Sequence, residues 1–124
     1  MVEIINWNTA ISSCKYDESV GIRIAKISGN EDFCTFITII DPNKNVNPHY
    51  HKYGDEHYHI IQGNGEIKLK NIITGNEQQY TVSEKESFVI HENIQHQLKN
   101  IGDIPLILMF SCPMSHVESD RHFS

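Results

Sequence analysis

Between Pro48 and Gly65 the chain reads Pro-His-Tyr-His-Lys-Tyr-Gly-Asp-Glu-His-Tyr-His-Ile-Ile-Gln-Gly-Asn-Gly. Four of its eight histidines, His49, His51, His57 and His59, fall there with the carboxylates Asp55 and Glu56. Imidazole and carboxylate are the common side-chain ligands of a divalent transition ion. His49 and His51 are two residues apart, so on an extended strand both rings project to the same side. Glu56 opens the next strand, and Lys-Tyr-Gly-Asp supplies the connecting loop. Alternation along that strand puts Tyr58 and Ile60 on the face of Glu56 and turns His57 and His59 away. His57 and His59 therefore read as packing or interface residues. Tyr58 stands where its hydroxyl can orient a bound molecule. A third imidazole from another strand would complete a ligand set, and His96, beyond the His91-Glu92-Asn93 bend, is the best-placed candidate. His91 reads as a surface turn residue or as a base at the rim of the pocket. His116 and His122, near the end of the chain, have no partner spacing and read as solvated.

The elements that must hold these side chains are strands. Ile22, Ile24 and Ile27 begin the β pattern, which closes at Ser28-Gly29-Asn30-Glu31-Asp32, and Phe33–Ile40 is a β-branched and aromatic run with the character of a buried strand. Val46–His51 is short and extended, with Pro48 steering Asn47 away from helix. Strands follow at Glu56–Ile61 and Glu66–Lys70, then through Tyr80 and Val82, both read as inward. Ser87–Ile90, Gln95–Asn100 and Ile104–Cys112 complete the set. No amphipathic helix is evident, and about ten short strands with Gly, Asn and Asp turns imply an all-β sandwich or small barrel. Residues 1–19 read as an N-terminal arm or edge strand, 20–112 as the barrel domain, and 113–124 as a polar tail.

Composition bounds the partners. With 124 residues, 39% of them hydrophobic, the chain builds one domain around one core. A net charge of -6 with its ten basic residues scattered excludes nucleic-acid recognition, and no basic helix or long apolar run addresses a membrane. The N-terminus lacks the features of a signal peptide. The three cysteines, Cys14, Cys34 and Cys112, are odd in number with no Cys-x-x-Cys, so they read as reduced thiols of a cytoplasmic protein. Sheet edges on so small a domain favour a homodimer, with the N-terminal arm and the His57/His59 face as the interface.

His49-x-His51, then Glu56, then Gly63 resembles the first motif of the cupin superfamily. The second motif is matched by Lys85, His91, Asn93, His96 and Asn100, keeping the family's His and terminal Asn but replacing its Gly, Pro and Gly. Asn93 tolerates the positive φ that glycine would supply. The resemblance covers residues 20–112 and implies a single-domain jelly-roll β-barrel. It also implies one divalent transition metal, Fe(II), Mn, Ni or Zn, held by His49, His51, Glu56 and His96 with positions left open. The implied function is an enzyme of isomerase, dioxygenase or lyase type acting on a small polar molecule, with Tyr58 and His91 as catalytic candidates. The alternative is a non-catalytic cupin that binds or senses a sugar or organic acid.

Overall fold

Strand alternation decides which side chains meet, and the computed structural model, which describes residues 2–123, brings them into one core. A short helix α1 (Trp7–Ser12) leads into β1 (Lys15–Asp17), β2 (Ile22–Gly29), β3 (Cys34–Ile40), β4 (Glu56–Gln62) and β5 (Asn64–Asn71). Then come β6 (Glu77–Ser83), β7 (Ser87–Ile90), β8 (Ile94–Asn100) and β9 (Leu106–Cys112). They form a six-stranded sheet ordered β1-β2-β3-β9-β4-β7 and a three-stranded sheet ordered β6-β5-β8, with antiparallel pairing throughout. Phe36, Tyr58, Ile60, Leu108 and Phe110 from the first sheet pack in one cluster with Ile67, Val82 and Leu98 from the second. The result is an all-β jelly-roll barrel.

The central β3 is buried along nearly its whole length, as its unbroken apolar run requires. In β4 the alternation is clean: Glu56, Tyr58 and Ile60 are buried, while His57 and His59 face outward. Lys85 and Asn93, at the positions where the motif has glycine, adopt φ of 69° and 63°. The left-handed turns are therefore kept without the glycine.

Three expectations need correction. Residues Trp7–Ser12 are helical, because the Asn6 side chain accepts from the Thr9 backbone N–H at 3.1 Å and caps the turn; none of the helix is buried, so it has no amphipathic signature. Tyr80 shares the inward parity of Val82 yet is 51% exposed, since β6 is a sheet edge and a cleft stands open between it and β7. His116 is not solvated. It lies fully buried in a 3-10 turn, Met114–Val117, and Asp120 is buried close by. His122 is half-buried, and its backbone pairs with that of Tyr50. Among the described residues, no helix is long and apolar enough to cross a membrane.

Candidate metal centre

His49 and His96 meet because the extended segment before β4 lies antiparallel to β8. His49 N–H donates to His96 O at 3.2 Å, and His96 N–H returns to His49 O at 2.8 Å. His51 follows on the same face, and Glu56 enters as the first residue of β4, opposite Ile90. All four residues are buried. Ring nitrogens of His49, His51 and His96 lie within 4.8 Å of one another. The structure thus brings together His49, His51, Glu56 and His96, drawn from three separate stretches of chain.

The hydrogen bonds fix the state of each ring. Nδ1 of His49 donates to Asn47 O at 2.8 Å, Nδ1 of His51 to Asp120 O at 2.5 Å, and Nδ1 of His96 to Ile94 O at 3.0 Å. Carbonyl oxygens only accept, so Nδ1 carries a proton in every case, and in the neutral ring Nε2 is the nitrogen left with the lone pair. His51 Nε2 stands 3.2 Å from Glu56 Oε2, and His96 Nε2 stands 3.4 Å from Oε1. Both nitrogens are buried, and neither has a hydrogen-bond partner. Burial, reinforced by the neighbouring His96, lowers His49 to about 3. Burial, only partly offset by Glu56, lowers His51 to about 4. Burial is the largest influence on Glu56 and would raise it, but the His116 hydrogen bond and the imidazoles of His96 and His51 together outweigh it and hold the carboxyl well below the usual range. Neutral His49 and His51, with His96 beside them and the Glu56 carboxylate, are a donor set that fits a divalent cation.

Both oxygens of Glu56 are steadied by donors. Tyr58 OH donates to Oε1 at 3.0 Å, and His116 Nδ1 donates to Oε2 at 2.9 Å. His116 Nε2 also donates, to Tyr53 O at 2.6 Å. With an acceptor on each nitrogen, His116 is an imidazolium, its pKa raised because the Glu56 and Tyr53 bonds overcome the effect of burial. Burial and the Glu56 charge push Tyr58 well above its ordinary value, so it is a donor and not a base. His91 lies apart from this group, exposed, with Nδ1 3.2 Å from Asp55 Oδ1. His116 and Asp120 escaped the sequence reading; their positions 60 and 69 residues from Glu56 and His51 follow no strand period.

Space at the centre is small. The cavity bounded by His49, His51 and Glu56 measures about 20 Å³, enough for one ion or water. A larger cleft of about 630 Å³ opens between β6 and β7, lined by Gln78, Tyr80, Phe88, Ile90, His91 and Ile94 among others. It shares a wall with the centre, for the Phe88 ring lies 5.1 Å from that of Tyr58 and Ile90 faces Glu56 across the ladder.

Residues 21–121 match the model of the polysaccharide biosynthesis C-terminal domain family. No curated protein matches the sequence. Among solved structures, the capsular polysaccharide assembling protein CapF of Staphylococcus aureus superposes with a TM-score of 0.75 at 18% identity, over 89% of this chain and 33% of CapF. The chain therefore spans about a third of the length of that protein. Oxalate decarboxylase of Bacillus subtilis, studied for its Mn(II) centres, gives 0.70 at 16% identity over 93% of this chain and 30% of the enzyme. A double-stranded β-helix protein of Klebsiella pneumoniae gives 0.72 at 13% identity over 91% of this chain and 90% of its own. At these identities the likeness is one of fold.

Proposed function

The chain belongs to the polysaccharide biosynthesis C-terminal domain family within the cupin superfamily, and from that premise we propose a divalent-metal enzyme that isomerises a small carbohydrate during polysaccharide assembly. His49, His51, Glu56 and His96 are the ligands in this reading, and Fe(II), Mn, Ni or Zn each suits them. The observation that carries it is the pair of buried, unpartnered Nε2 atoms of His51 and His96 facing Glu56. A cation there supplies Lewis acidity to a substrate carbonyl or hydroxyl oxygen. The carbohydrate class comes from the family, and the cleft between β6 and β7 offers amide and hydroxyl side chains over an apolar floor that suits a sugar. His91, which lines that cleft and pairs with Asp55, is the group we assign to move a proton at the substrate carbon, while Tyr58 serves by holding Glu56. In this reading the protein works as a cytoplasmic homodimer, joined through the exposed Val2, Ile4 and Trp7 of the N-terminal arm and through the outward His57/His59 face.

The small volume around the centre favours a second reading, a non-catalytic cupin whose ion organises a carbohydrate-binding face. Proton NMR in heavy water separates the two. Metal-loaded protein, given a panel of keto sugars and sugar nucleotides, should exchange the proton beside the carbonyl, and His49→Ala should abolish the exchange. Saturable binding with no exchange would leave the binding module, and oxygen uptake would point to a dioxygenase instead.

A further inference from the structure

Two of the ligands, His51 and Glu56, are steadied by the segment that follows the last strand of the barrel. The Asp120 carbonyl accepts from His51 Nδ1, and its carboxylate accepts the Lys52 and Tyr53 backbone N–H groups, each at 2.9 Å. That one residue fixes both the His51 ring and the loop leading to Glu56. His116 bonds Glu56 and the Tyr53 carbonyl, and its ring stacks on His51 at 4.0 Å with planes 3° apart. The Phe123 ring lies 5.9 Å from that of His49.

The segment is tied down at both ends. Met114 N–H donates to Glu31 O at 2.9 Å, and the backbones of Tyr50 and His122 exchange two bonds of 3.0 Å. Arg121 Nη1 reaches Asp17 Oδ2 at 3.0 Å and Ser19 Oγ at 2.7 Å. Gly54, at φ +87°, lies beneath it; a Cβ there would stand 3.1 Å from Pro113 Cγ and 3.5 Å from His116 Nε2.

We propose that residues 113–123 form a strap that presets the metal centre, with His116 and Asp120 as positioning residues for Glu56 and His51. The proposal rests on the reading of the cluster as a metal site. Tyr58 and His116 each engage one oxygen of Glu56, so rotating the carboxylate breaks both bonds, and a fixed lone-pair direction is left for the ion. The Asp120 carbonyl likewise locks the tautomer and tilt of His51. Losing either contact frees a ligand to turn away, and the expected penalty in affinity is about 10–100-fold.

The test is Zn²⁺ affinity of the full chain by chelator competition, with Co²⁺ absorption spectra recorded in parallel. His116→Ala should weaken Zn²⁺ by about 10-fold or more and shift the Co²⁺ bands, whereas His116→Gln, which keeps one N–H toward Glu56, should recover most of the affinity. A strap that only supports the fold would lower the melting temperature of the metal-free protein while leaving both metal readouts unchanged. That result, in a wild type that binds Zn²⁺, overturns the proposal and spares the metal reading. A wild type that takes up no Zn²⁺ overturns both. If His116→Ala does not fold, Asp120→Asn decides, with an expected loss of about 3–10-fold from its loosened loop.

Discussion

Acidifying the metal-free protein from pH 6.5 to pH 4.5 should remove about 5 kcal/mol of folding stability. The cause is the neutral state of two buried rings. Burial brings His49 to about 3 and His51 to about 4 in the folded protein, whereas both take up protons near pH 6.5 once unfolded. Below that value the unfolded chain binds two protons that the folded chain refuses, so stability falls as pH falls. Each refused proton is worth about 1.4 kcal/mol per pH unit, giving a slope of about 2.7 kcal/mol per unit for the pair. His116 and Glu56 leave this window clear. His116 is raised, so its contribution is complete below its unfolded value and is lost only as pH climbs through the folded one. Glu56 is lowered, so its contribution is complete above its unfolded value, about 4.5, and fades only in stronger acid. A domain at the low end of the usual ~5–15 kcal/mol would be close to unfolding at pH 4.5. Urea unfolding followed by circular dichroism, in chelator at half-unit pH steps, reads the slope. His51→Asn should roughly halve it. A wild-type slope below about 1 kcal/mol per unit would refute the argument from burial.

Four other substitutions or truncations test separate parts of the account. Glu56→Gln strips the buried His116 cation of its counter-charge and should destabilise the metal-free protein by about 3–5 kcal/mol in urea unfolding; a change under 1 kcal/mol would contradict the ion pair. Asn100→Ala orphans the carbonyls of Ile40 and Ile104, which the Asn100 amide holds at 2.9 and 2.8 Å. The expected cost is about 2–4 kcal/mol by the same measurement. Lys85→Gly relieves a side chain held at φ 69° and should raise stability by about 0.5–1 kcal/mol in urea unfolding, and a loss of stability would contradict it. Deleting residues 1–6 should convert a sedimenting dimer to monomer, and a wild type that sediments as monomer contradicts the proposed interface.

How much of this was legible from sequence depends on how local each contact is. His49 and His51 share a face because the strand period is a two-residue property, and the same period separates Glu56 and Tyr58 from His57 and His59. His96 could be singled out because it sits in a short motif on a strand, although its pairing with His49 crosses 47 residues of chain. The left-handed turns at Lys85 and Asn93 were partly visible, since Asn advertises such a conformation and Lys does not. His116 and Asp120 were invisible for a physical reason: an irregular strap reaches its partners by hydrogen bonding, and no periodicity marks which polar residue will be buried. The exposure of Tyr80 likewise depends on which strands end each sheet, a property of topology that alternation along β6 does not contain.

The central claim is that the Nε2 atoms of His49, His51 and His96 converge with Glu56 on one divalent ion. Long-range proton–nitrogen NMR of the imidazoles, recorded on metal-free protein and again with one equivalent of Zn²⁺, tests it directly. The account predicts three rings protonated at Nδ1 before addition and a displaced Nε2 resonance in those same three rings afterwards, with His116 remaining doubly protonated. Nε2 signals unmoved by Zn²⁺, or metal binding at His116 in place of His49 and His96, would contradict it.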